Sequence, residues 1–177
     1  MHLLTLLACQ DPPSEHTDPE VQGPQDILTT DLALDLGALT GQATLVVEPG
    51  EEGVRLDVSG LSVDGVSLDG ETAPILLEDG WLSVGGPGSE PVTVVVDYGF
   101  EARTPATFDG WMPGLGVSFV WPTYCSNLFP CDPSLQDGVT FTMAVTGFDE
   151  GLTAVHPTST HGDGPTYLPA VALGPYT

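Results

Sequence analysis

The chain has 177 residues, enough for one domain, or one domain with a short tail. A domain of about 150 residues buries roughly 68–70% of its unfolded surface, so a real core is within reach. Twenty-five acidic residues against two arginines, Arg55 and Arg103, and no lysine give a net charge of −23. Such a surface repels phosphate backbones and anionic lipid headgroups, which excludes nucleic-acid binding and direct adsorption to an anionic membrane. Net charge otherwise speaks to solubility and not to fold.

The first eight residues, Met1–Ala8, are mostly apolar and end at Cys9. Leu6-Leu7-Ala8-Cys9 resembles a bacterial lipobox, in which the signal is cut before a cysteine that is then lipidated. The competing reading is an ordinary apolar N-terminus, because the run is short and carries no basic residue before it. Residues 10–26 are polar and proline-rich, as a tether between anchor and domain requires. The expected organisation is therefore a targeting segment at 1–9, a linker at 10–26 and a β-domain at 27–177. Export to a bacterial cell envelope with a lipid anchor at Cys9 follows as an expectation. No apolar run is long enough to span a membrane.

From Ile27 the pattern changes. Asp31-Leu32-Ala33-Leu34-Asp35-Leu36 alternates with period two, the mark of a half-buried strand. Ala43, Leu45 and Val47 line one face of a second strand, and Val54, Leu56 and Val58 of a third. Asp64-Gly65, Asp69-Gly70 and Asp79-Gly80 favour the positive φ angles of tight hairpin turns. They predict short meander strands at Leu61–Val63, Val66–Leu68, Ile75–Leu77 and Trp81–Val84. In Pro91–Tyr98, Val92, Val94, Val96 and Tyr98 share one face. Phe100–Gly116 reads as a Gly- and Pro-rich loop. Ser118–Trp121, Val139–Val145 and Leu168–Leu173 complete the strands. No helical period persists over ten residues, and nothing repeats at a fixed interval, which argues against propellers and solenoids. The fold expected is all-β, with antiparallel, sandwich-like or saddle-like sheets and short meander hairpins.

Candidate chemistry is sparse. There is no nucleophile elbow and no phosphate-binding loop. His2 falls in the targeting segment, His16 in the linker, and His156 and His161 in or beside polar loops, where histidines are usually solvated. Asp132, Asp137 and Asp149-Glu150 are conceivable metal ligands or acid/base groups, but no segment fits a calcium loop. Cys125 and Cys131 lie six residues apart around a loop. A disulfide is favoured in an exported chain; a zinc site would need two further ligands nearby. Trp81, Trp111 and Trp121 are read as core or interface packing in preference to a sugar- or peptide-stacking surface.

Trp121–Cys131 reads W-P-T-Y-C-S-N-L-F-P-C. Phe129-Pro130-Cys131-Asp132-Pro133 is followed by a strand with an internal Phe141, then by Thr166-Tyr167-Leu168 and a closing Gly174. Together these resemble the N-terminal β-domain of the aminopeptidase N family of zinc metallopeptidases. In that family a catalytic domain with a zinc-binding H-E-x-x-H helix follows; no H-E-x-x-H occurs in this chain. The resemblance implies a non-catalytic module that packs beside a zinc peptidase domain, in cis or split, and walls its cleft. It implies no cofactor here, zinc belonging to the catalytic domain, and no activity for the chain alone, as expected of a truncated or split peptidase. Phe129, Pro130, Cys131, Phe141, Tyr167, Leu168 and Gly174 carry the resemblance as structural positions. Where the family places a Gln or Glu for the substrate's amino group, Phe119–Trp121 stand, and the family arginine before the turn corresponds to Ser126 or Asn127. No substrate-binding residue is carried over. The alternative is a standalone cell-surface β-sandwich lipoprotein that binds a protein or glycan.

Overall fold

Alternation in sequence becomes alternation in burial. In β1 (Asp26–Asp35), Leu32 and Leu34 are buried while Asp31 and Ala33 face out. β2 (Thr40–Glu48) buries Ala43, Leu45 and Val47 completely. The computed structural model describes residues 25–120, 122–134, 138–158, 164–165 and 169–176. The expectations at Cys9, His2, His16, Trp121, Asp137, His161, Tyr167 and Leu168 lie outside the described residues. β1 starts at Asp26, and Gln25 makes side-chain hydrogen bonds to the Arg55 backbone and to Asp132.

β3 (Val54–Asp57) and β4 (Leu61–Leu68) follow. β4 is one strand where two were expected, because Asp64-Gly65 is not a hairpin turn. The register against the next long strand shifts between Val63 and Gly65, which makes Asp64 the extra residue of a bulge. The other two Asp-Gly pairs do turn the chain. Asp69 and Gly70 (φ 50° and 83°) join β4 to β5 (Glu71–Thr72). Asp79 and Gly80 (φ 50° and 84°) join β6 (Leu76–Glu78) to β7 (Trp81–Val84). Positive φ at both central residues is the signature of a type I′ hairpin, whose twist suits the flanking strands.

β8 (Val92–Phe100) is the long valine strand. The expected loop after it contains a strand, β9 (Gly110–Met112), held by a hydrogen bond from Arg103 N to Trp111 O. β10 (Val117–Phe119) leads into a 3-10 helix at Pro122–Asn127. Then come β11 (Gly138–Thr146), β12 (Thr153–Val155), β13 (Gly164–Pro165) and β14 (Ala172–Gly174). The last strand is shorter than the Leu168–Leu173 expected.

Three sheets result: seven strands in the order β13-β11-β1-β2-β8-β4-β5, four in the order β12-β14-β10-β9, and three in the order β3-β7-β6. Among the described residues every pairing between named strands but one is antiparallel. β1 and β11 run parallel from Thr29↔Thr140 to Asp35↔Thr146, which sets a segment far along the chain beside the first described strand. The inner face of the large sheet carries the row Phe141–Thr30–Leu45–Val94, and the smaller sheets cover it with Leu56, Leu82, Val84 and Trp111 in one continuous core. Each fully buried aliphatic side chain contributes about 1.5–3 kcal/mol through burial alone. One cross-strand pair is tighter than the rest. Tyr98 lies across Gly41, where a Cβ would stand 2.5 Å from its ring. Only glycine leaves that space.

Candidate docking face and its corner

The four-stranded sheet has short strands and an uneven cover. Residues paired across an antiparallel ladder share a face. Met112, Val117, Ala172 and Val155 form one such row through Met112↔Val117, Val117↔Ala172 and Ala172↔Val155. Phe119 is two residues from Val117 and stands on the same side. Cover fades along the row: Met112 is buried, Val117 and Ala172 are half-buried, and Val155 is 55% exposed. Phe108 is 50% exposed and packs its ring against Phe119, centroids 4.7 Å apart. Leu115, in the turn between β9 and β10, is also exposed. Apolar surface gathered from four separate segments is what a partner-binding face requires, whereas single exposed apolar residues need no explanation.

Beside this face lies the Phe-Pro-Cys corner. Phe129, Pro130 and Cys131 are buried, and Phe129 meets Phe141 edge-on at 6.3 Å. A disulfide joins Cys125 to Cys131, Cα atoms 6.1 Å apart, and closes the 3-10 helix onto the corner. Asp57 and Cys131 exchange backbone hydrogen bonds at 2.8 and 3.3 Å, which ties the corner to β3. Gly174 is buried against the Tyr176 ring. The four described positions of the resemblance before it therefore sit in the core, not at a site.

A polar network sequence reading missed crosses the corner. Arg103 Nη2 donates to Asn127 Oδ1 at 2.8 Å, and Asn127 Nδ2 donates to Asp109 Oδ2 at 2.9 Å. The guanidinium also stands 3.8 Å from the exposed Glu101. Gly60 lies so close that a Cβ would meet Asn127 Oδ1 at 2.3 Å. Arg103 thus brings a guanidinium to Asn127 from another loop. The available signal was rarity: Arg103 is one of two basic residues in the chain.

The other candidates do not converge. His156 Nδ1 lies 3.2 Å from the Pro157 carbonyl, and Asp132 accepts from Gln25 and from Ser134 N. Asp149 takes part in a turn through its backbone. Trp111 is buried; Trp81 is half-buried beneath the Arg55 guanidinium at 5.2 Å. Among the described residues no three His, Cys, Asp or Glu side chains come together as a metal site. Cys125 and Cys131 bind each other. Among the described residues the strongly shifted acid is Tyr98, whose hydroxyl is pushed well above its ordinary value by burial and has no hydrogen-bond partner.

No protein-family model matches the chain, and neither does any curated protein sequence. Solved structures do match. The M1 zinc metallopeptidase from Deinococcus radiodurans superposes with a TM-score of 0.70 at 21% identity, over 88% of this chain and 43% of that one. A two-domain M1 zinc metallopeptidase bound to L-tryptophan gives 0.66 at 22%, over 86% and 43%. Legionella pneumophila aminopeptidase A in complex with aspartic acid gives 0.68 at 16%, over 85% and 21%. The chain thus spans less than half the length of these structures. It has the fold of the N-terminal portion of M1 zinc metallopeptidases.

Proposed function

We propose that this chain serves as the non-catalytic N-terminal β-domain of an aminopeptidase N-like zinc metallopeptidase. It packs beside the catalytic domain and walls one side of its cleft. The half-covered face of Phe108, Val117, Phe119, Ala172 and Val155 carries the reading, on a domain whose fold matches part of such enzymes. Covering it with a second domain removes apolar surface from water, and joints of this kind bury about 600–1,500 Å². The zinc and the catalytic acid belong to that partner, supplied in cis or as a separate chain. The Phe-Pro-Cys corner, closed by its disulfide and tied to β3, holds the face rigid while peptide is bound alongside. The chain alone is inactive. Its place is the bacterial envelope, anchored by lipid at Cys9 through the polar linker.

The test is recovery of the full chain from its native envelope. Chelator-sensitive aminopeptidase activity should accompany it, and Phe119→Asp should release that activity without unfolding the domain. A chain that runs alone and carries no such activity sinks the proposal, as does peptide hydrolysis by the isolated, metal-stripped chain. Mass spectrometry should find a diacylglyceryl group on Cys9; an unmodified Cys9 in membrane-free protein removes the anchor.

A further inference from the structure

The three-stranded sheet is unfinished on one side. Its first edge, β3, is capped by the Cys131 backbone. Among the described residues its other edge, β6, has no partner strand, and Ile75, Leu76 and Leu77 are 40%, 56% and 53% exposed. Leu77 pairs with Leu82, which is completely buried. The two share a face, so among the described residues the core-facing surface runs off the edge of the sheet at Leu77. Ile75 stands two residues before it, just ahead of the strand. On the opposite face Leu76 pairs with Ser83, and Glu78 with Trp81. The two-residue turn at Asp79-Gly80 makes Glu78 and Trp81 a hydrogen-bonded pair, so ladder alternation turns the N–H and C=O of Leu77 toward the open edge.

A long or apolar open edge is a template for another strand, and proteins usually blunt it with lysine, proline or a bulge. β6 is short and follows Pro74, but Ile75, Leu76 and Leu77 leave it apolar, with no lysine on it. We propose that β6 takes up an extended peptide segment as a fourth strand, with apolar side chains at alternate positions and basic ones between. The apolar positions pack on Ile75 and Leu77 and extend the core. The basic positions lie on the other face, beside Glu78 and the exposed Asp79. Charge selects this occupant. The chain carries −23, and the one cation on that face, Arg55, is engaged by Glu52 at 2.8 Å and stacked over Trp81. A second copy would bring like charge to the edge, and three side chains fall far short of the about 800 Å² per partner that a stable dimer needs. Backbone hydrogen bonds supply affinity in this mode and the alternate side chains supply specificity. The edge lies on a different sheet from the docking face proposed above, and the inference does not depend on that partner.

The experiment uses the full chain and a labelled, capped hexapeptide alternating Lys and Val, followed by fluorescence anisotropy at low salt. Its controls are a Lys-Lys-Lys-Val-Val-Val isomer and an alternating Glu-Val peptide. The alternating Lys-Val peptide should bind, and both controls should bind about tenfold more weakly or worse. Leu77→Lys should abolish binding while leaving the circular dichroism spectrum intact. Glu78→Lys, at an exposed position, should invert the preference toward Glu-Val and keeps the test alive if Leu77→Lys fails to fold. Equal binding of the blocked isomer, binding that survives both substitutions, or no binding at all overturns the proposal. So does a concentration-dependent dimer in sedimentation that Leu77→Lys abolishes, since the occupant is then a second copy.

Discussion

The seven-stranded and four-stranded sheets solve the same problem differently. In the large sheet, long strands alternate cleanly. The inner face carries Leu, Val, Tyr and Phe, and the outer face carries small and polar residues such as Thr44, Gln42, Ala33 and Asp97. Its buried side is filled from within the same chain. The four-stranded sheet pairs no more than three residues per strand and leaves apolar side chains part-covered on one face. The first sheet buries its apolar side within the chain, and the second leaves part of its own exposed. The difference teaches that long alternating strands bury their apolar face more fully than short ones do in this domain.

Substitutions should separate the two. Phe141→Ala, which removes a buried ring between β1 and the Phe-Pro-Cys corner, should cost about 3–5 kcal/mol in urea unfolding. A value under 1 kcal/mol would mean that the large sheet is not the main source of stability. Opening the Cys125–Cys131 bridge by reduction, or by Cys125→Ser with Cys131→Ser, should cost about 2 kcal/mol, the small loop limiting the gain. Thermal melting with and without reductant measures it, and no shift would show that the corner holds by packing alone. Gly41→Ala drives a methyl into the Tyr98 ring and should cost about 1–3 kcal/mol.

Tyr98 adds a pH dependence to the large sheet. Its folded pKa is raised above the ordinary value of 10.0 by burial, so it stays neutral in the folded state. Below pH 10 neither state releases the proton and the contribution is intact. Above it only the unfolded chain ionises, and stability should fall by up to about 1.4 kcal/mol per pH unit. Tyr98→Phe should remove that dependence at little cost, because the hydroxyl has no partner to lose. Parallel pH profiles above pH 10 would refute the assignment. The smallest stability effect is expected on the four-stranded face. Phe108→Ser should change unfolding by no more than about 0.5 kcal/mol yet reduce binding of an apolar dye and self-association. A large destabilisation there would erase the distinction between the sheets.

Much of the strand set was legible because one side of each long strand is wet. Period two in β1, β2, β3, β8 and β11 reports burial directly. Two Asp-Gly turns behaved as local chemistry demands. Asp64-Gly65 did not, because β4 must run the length of β8 and its neighbours outweigh the turn preference, leaving a bulge. β9 was invisible: Gly110, Trp111 and Met112 are all buried, so no alternation marks them. Two polar partners at the corner, Asp109 and Asn127, were equally hidden, since only folding brings them to Arg103.

The sequence by itself determined an acidic, all-β chain without a zinc helix, because charge, strand periodicity and motif spacing are local properties. Tertiary structure decided the parallel return of β11 beside β1, the fading cover along Met112, Val117, Ala172 and Val155, and the bare β6 edge. Each depends on which faces meet across distant segments. Whether an apolar side chain is core or interface is settled only by what packs over it.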